Sequence, residues 1–224
     1  MRKISTILMA ISVCLLMALL SGCAKQEMQQ AGFLEDYSTL QPDPIGFADK
    51  SFKKENVVWG AYDKVMIDQI MFFLKDDAQY KGIDADDFNQ LAQYWNDSMV
   101  KSLSKSYKIA TEPGPNTLRL RLAITNLVPN KPAMGTITTV VPVGLAASEL
   151  KKIATGTHIG MGSAGFEAEI RDAQSGDLLA SAVNWDTGKK YKIAKSLTEW
   201  GQVEAIFDEW TDNIRKRLDK FSGR

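Results

Sequence analysis

Apolar residues recur along the chain with two periods, and the alternation between them predicts the elements. Residues 65–73, Val-Met-Ile-Asp-Gln-Ile-Met-Phe-Phe, are apolar on both parities, as in a central strand covered on both faces. After Asp84 the period changes to that of a helix. Phe88, Leu91, Trp95, Met99 and Leu103 form one stripe, with Asp84 placed to cap and Asp86 and Asp87 at the positive helix end. A short strand is expected over 107–110, then a turn at Glu112-Pro113-Gly114-Pro115-Asn116. Strict alternation follows, with Leu118, Leu120, Leu122 and Ile124 inward and Arg119, Arg121, Ala123 and Thr125 outward. Phe166, Ala168 and Ile170 repeat the pattern. Asp172 to Asp177 makes a hairpin turn around Gly176, and 178–186 is the return strand. Trp200, Val203, Phe207, Trp210, Ile214 and Phe221 mark a last helix over 197–220. The expected fold is α+β, a mostly antiparallel sheet of about five strands with helices on one face, in the order β-α-β-β-(apolar segment)-β-β-α.

The first 23 residues follow a different plan. Arg2 and Lys3 precede an apolar run from Ile4 to Leu20, closed by Leu20-Ser21-Gly22-Cys23. This is the layout of a secretory signal peptide, except for its end. Leu-Ser-Gly-Cys resembles the bacterial lipobox, in which the cysteine thiol is acylated and the chain is cut ahead of it. Small residues at Ser21 and Gly22 give the peptidase access. An apolar run of about 17 residues sits at the lower edge of membrane-spanning length, and the box decides for cleavage between Gly22 and Cys23 with lipidation of Cys23. Two or three acyl chains anchor stably where one does not. Ala24 after the cysteine, where Asp favours inner-membrane retention in enteric-type sorting, points to the outer membrane and its periplasmic face. The domain plan is therefore a signal peptide over 1–22, the lipidated cysteine and a tether over 23–49, and one α+β domain over 50–224. The tether is polar at Lys25 to Gln30 and broken by Pro42 and Pro44, yet its Phe33, Leu34 and Tyr37 are expected to pack back on the domain.

Composition narrows the chemistry. Twenty-seven basic and 27 acidic residues balance, which argues against nucleic acid as a partner. Of the two cysteines, Cys14 leaves with the leader and Cys23 is acylated, so no thiol or disulfide chemistry is left to the mature chain. Gly160-Met161-Gly162-Ser163-Ala164-Gly165 spells a dinucleotide motif but leads into an alternating strand, where that site needs a helix N-terminus. His158 is the sole histidine, too little for a triad or a zinc site. Asp84 to Asp87 lacks the glycine and terminal glutamate of a calcium loop. Glu167 and Glu169 alternate with Arg171 as on a solvated sheet face. No catalytic residue, cofactor or metal is expected.

The stretch from Pro132 to Ser148 carries no charge. Either it covers the sheet, or Val140, Val141, Val143 and Leu145 form an exposed interface for a partner or the bilayer surface.

Several segments together resemble a known family. They are Gly32-Phe33-Leu34 with Asp36-Tyr37-Ser38, Tyr62 to Asp68, Glu112 to Pro115 with the following strand, Gly160 to Gly165, and Asp172 to Leu179. Their order is similar to that of the bacterial lipoprotein family called domain of unknown function 3313. The resemblance implies a lipoprotein and brings no enzymatic activity with it. The element order is also similar, by analogy of fold alone, to small α+β domains of other envelope lipoproteins. The expected role is a non-enzymatic outer-membrane module that binds another envelope protein or a cell-wall component. The alternatives are an oligomeric assembly or secretion-channel-like subunit, and a carboxylate-based cell-wall hydrolase.

Overall fold

The computed structural model describes residues 30–73, 84–129, 162–187 and 198–224. Eight strands make one sheet: β1 (Gln41–Pro42), β2 (Lys50–Lys53), β3 (Lys64–Ile67), β4 (Met71–Phe72), β5 (Lys108–Ala110), β6 (Thr117–Val128), β7 (Ser163–Asp172) and β8 (Leu178–Thr187). Their order is β1-β2-β8-β7-β6-β3-β5, with β4 also on β6. A helical turn, Trp59–Ala61, precedes β3. Helix α1 (Ala85–Leu103) lies between β4 and β5, and α2 (Gly201–Ser222) ends the chain.

The long alternating segments form the centre. β7 runs antiparallel to β6 from Leu118 opposite Asp172 to Val128 opposite Ser163, and antiparallel to β8 on its other side. The β7–β8 turn is held by Asp172, whose Oδ1 accepts the N–H groups of Gln174 and Ser175 at 2.8 Å, while Gly176 takes φ +80°.

The architecture is α+β, but the sheet is mixed and larger than the expected mostly antiparallel five strands. β3 runs parallel to both β5 and β6, and β4 runs parallel to β6. Two strands, β1 and β2, come from residues too short in pattern to show alternation. The run over 65–73 also splits. Ile67 faces Leu120 and Met71 faces Ala123, so the β3–β4 side carries one extra residue. Val65 therefore belongs to the core under the helices, whereas Met71 packs on the opposite face. A run apolar on both parities is here partly a strand that changes face.

Both helices cover one face, over Leu118, Leu120, Leu122 and Ile124, each at most 1% exposed. Trp95 of α1 stacks on Phe207 of α2 at 4.9 Å, and both Trp95 and Trp210 meet Phe166 of β7. Most of the predicted stripe positions are buried, Leu91, Trp95, Met99 and Leu103 in α1 and Val203, Phe207 and Trp210 in α2, whereas Phe88, Trp200, Ile214 and Phe221 are half-buried and Leu218, beside the predicted stripe, is buried. Asp84 occupies the N-cap position of α1 without a side-chain capping bond; its carbonyl accepts the Phe88 N–H. The opposite face of the sheet receives the N-terminal segment.

Candidate functional site

Residues 31–40 form a strap across that second face. Phe33, Leu34 and Leu40 are buried with Ala123 and Val183, beside Tyr37, Phe52 and Met71. The strap is fixed at one carboxylate. Glu167, 2% exposed, accepts the backbone N–H groups of Ala31 (2.7 Å), Phe33 (3.1 Å) and Leu34 (3.3 Å) and the hydroxyl of Tyr37 (2.5 Å). Gly32 makes the convergence possible: at φ +94° it curls the chain so that N–H groups on both sides of it face one anion, a backbone nest. The Gly32 and Leu34 N–H groups in turn donate to the Tyr37 hydroxyl. Burying a carboxylate costs several kcal/mol unless donors replace its water, and here four donors do so. Burial, then the bond to Glu167, pushes the Tyr37 hydroxyl up to about 12.

Beside this lock runs a row of alternating charges. Glu169, 1% exposed, accepts Arg121 Nη1 at 2.5 Å and Arg171 Nε and Nη2 at 2.9 and 3.1 Å. Arg171 reaches outward to Glu35 of the strap at 3.0 Å. At the other end Arg119 Nε meets both oxygens of Asp68 at 2.8 and 3.0 Å, and Asp68 lies 3.9 Å from Arg121. The bond to Glu169 raises Arg171 and the bond to Asp68 raises Arg119, so both stay cationic. Phe33 joins the two systems. Its ring meets Phe73 edge-on at 5.5 Å, with the Arg121 guanidinium 5.2 Å from its centroid.

The face that alternation assigned to solvent is thus covered, and Glu167 and Glu169 are among its most buried groups. The sequence carried a signal of this. Ala123 stands at an outward position, and an otherwise polar N-terminal segment holds Phe33, Leu34 and Tyr37. What alternation could not supply is the pairing of one with the other. Chemically, the strap and the arginines fill the acceptors of both glutamates, so the arrangement holds chain rather than presenting a free acid.

A second buried ion pair fastens α2. Arg217 and Ser51 both donate to Asp43, whose side chain is fully enclosed and which also accepts the N–H groups of Phe47 and Ala48. Burial pushes Asp43 up, but the bonds from Ser51, Arg217 and Phe47 outweigh it and hold the carboxyl below the ordinary range. Next to this pair a cavity of about 50 Å³ lies between α2 and the sheet, floored by Ala168, Ala180 and Ala182 and walled by Trp210, Ile214 and Phe221.

The residues singled out in the sequence fall unevenly. Gly22, Cys23, Val140, Val141, Val143, Leu145 and His158 lie outside the described residues. Of the glycine motif, the described part enters β7 at Ser163, as the alternating strand after it requires. Gly165 itself marks a close approach: a Cβ there would stand 3.0 Å from Thr125 Oγ1 and 3.4 Å from the Trp185 ring. Among the described residues no group of three or more His, Cys, Asp or Glu side chains converges as metal ligands would. No helix among them is long and apolar enough to cross a membrane.

The profile of the family described as protein of unknown function (DUF3313) matches residues 29–214. A relative from Escherichia coli K12, described as the uncharacterized lipoprotein YdcL, is 24% identical over 208 residues, spanning 88% of this chain and 90% of that protein. Among solved structures, the PelC dodecamer from Paraburkholderia phytofirmans is similar with a TM-score of 0.39 at 11% identity, over 73% of this chain and 96% of that one. A putative neuraminyllactose-binding hemagglutinin homolog from Helicobacter pylori gives 0.36 at 12% identity, over 76% and 90%.

Proposed function

The chain belongs to the DUF3313 family of proteins of unknown function, and from that premise we propose that it is a lipoprotein of the bacterial outer membrane acting as a non-enzymatic binding module. Cys23 is its acylated anchor, and its α+β domain faces the periplasm and captures another envelope protein or a cell-wall component. The observation that carries this reading is the box Leu20-Ser21-Gly22-Cys23 at the end of an apolar leader. A relative described as a lipoprotein supports it. The self-satisfied carboxylates of the second sheet face support a holding role over a reactive one. Val140, Val141, Val143 and Leu145 are the candidate interface, because they lie in the uncharged stretch from Pro132 to Ser148.

Two experiments test the reading. Mass spectrometry of the protein from its native envelope is expected to find acyl chains on Cys23 and no leader, and Cys23→Ser is expected to release the chain from the membrane fraction. An unmodified cysteine refutes the anchor. Photo-crosslinking in intact cells from position 141, with position 119 as a second probe, is expected to trap one dominant envelope partner. Self-adducts alone would replace the binding module by an oligomeric assembly. Hydrolysis of muropeptides by the purified protein would replace it by an enzyme.

A further inference from the structure

The strap does more than cover apolar surface, because it fixes where the tether leaves the domain. The Ala31 N–H is bonded to Glu167, and Glu167 lies on β7, the middle strand of the seven in sequence of pairing. If Cys23 carries the lipid, about eight residues separate lipid and lock. Eight residues span at most about 29 Å, whatever their conformation.

The helix layer lies at the very limit of that reach. From β7 either sheet edge is three strands away, about 14 Å at the usual strand spacing of about 4.8 Å. Passing the sheet and a helix adds about 15 Å. The way over either end of β7 is no shorter, since Glu167 sits mid-strand in Ser163–Asp172, about 14 Å from the Ser163 end and about 17 Å from the Asp172 end. Laying α1 and α2 on the bilayer would consume the entire tether at full stretch. Laying the strap face there needs no stretch.

We propose that the strap-bearing face, with Glu35, Phe73 and Arg119 as its exposed side chains, is the side this protein turns to the lipid surface. The lock on Glu167 keeps that face within about 29 Å of the bilayer and presents the helix layer outward. This rests on the lipid-anchor reading above and adds the orientation. Were the strap to detach back to Gln41, the tether would grow to about 18 residues and a reach of about 65 Å, and the orientation would be lost.

The test uses the acylated full-length protein in phosphatidylethanolamine–phosphatidylglycerol vesicles that contain a lipid with a nitroxide quencher in its headgroup. Cys14 and Cys23 are the only cysteines of the chain, so an introduced cysteine is the sole free thiol for a fluorophore. Thr39→Cys places the probe on the exposed part of the strap and Gln93→Cys on the exposed side of α1. Quenching is expected to be at least threefold stronger at position 39 than at position 93. A twelve-residue Gly-Ser insertion between Ala24 and Lys25 leaves the strap intact and is expected to bring the two probes within a factor of 1.5. Equal quenching without the insertion, stronger quenching at 93, or a difference that survives the insertion overturns the proposal. Mass spectrometry of Cys23 on the same sample separates these failures from failure of the anchor itself: an unacylated chain that does not float with the vesicles overturns both.

Discussion

Glu167 and its neighbours illustrate how one carboxylate organises ten residues of chain. Three backbone N–H groups and the Tyr37 hydroxyl converge on it, and no apolar side chain can accept them. Glu167→Ala is expected to destabilise the protein by about 2–4 kcal/mol, a loss of charge-assisted bonds and of the burial of Phe33 and Leu34. Glu167→Gln, which keeps one acceptor, is expected to cost about half as much. Urea unfolding measures both; a change below about 0.5 kcal/mol for the alanine variant would mean that the strap is not held there. Tyr37 adds a pH dependence of defined sign. Its hydroxyl is raised to about 12 from the ordinary 10, so the fold favours the neutral form. Its contribution is complete below pH 10 and disappears as the pH rises from 10 through 12. Tyr62, bonded to Asp172, is raised to about the same value, so the comparison must be with Tyr37→Phe. That variant is expected to be less stable at pH 8 and to show a smaller further loss between pH 10 and 12. An unchanged alkaline slope would remove Tyr37 from the lock. Asp43 titrates with the opposite sign: its lowered carboxyl stabilises above pH 4 and ceases to do so as the pH falls below it.

Elements with a strong period were legible in the sequence, and those set by a partner element were not. The stripes of α1 and α2 and the alternation of β6 and β7 place the faces they turn to each other, because each repeats the spacing of its backbone. β1 and β2 have two and four residues, too few to show a period; β2 exists through pairing with β8 and β1 through pairing with β2. The face change between Ile67 and Met71 is set by register on β6 and has no local signature. The same division applies to the candidate site: the aromatics of the strap were visible, but their docking on Glu167 depends on residues more than 130 positions away. At this scale the aromatic contact of the two helices governs packing. Trp95 is fully buried between Phe207, Trp210 and Phe166. Trp95→Ala is expected to cost about 3–5 kcal/mol. Trp95→Phe should cost clearly less, since the indole N–H it removes has no hydrogen-bond partner among the described residues. Chemical denaturation of the pair checks the order, and equal losses would show that a phenyl ring recovers none of the packing and that the indole itself is required.

For the whole molecule, the sheet divides the apolar interior into two unequal bodies. Among the described residues, the helix side gathers Trp95, Met99, Leu118, Leu122, Phe207 and Trp210 into one large cluster, while the strap side holds five buried apolar residues and a few flanking ones. Opening the first exposes most of the core; opening the second exposes little and frees one carboxylate. The two should therefore open at different free energies. Native-state hydrogen exchange in increasing denaturant is expected to show the amides of Ala31, Phe33 and Leu34 exchanging through a sub-global opening. Those of Leu120 and Leu122 should exchange only at the cost of global unfolding. In Glu167→Ala the strap amides should lose protection while the β6 amides fall only by the change in global stability. If all five amides share one opening energy, the strap is an integral part of the core and cannot act as a separable lock. If the strap opens first, the point at which the tether leaves the domain is itself the least stable part of the fold. The reach of an anchored domain would then be set by the weakest of its two clusters, and a change at one buried glutamate would lengthen it without disturbing the helices on the other side.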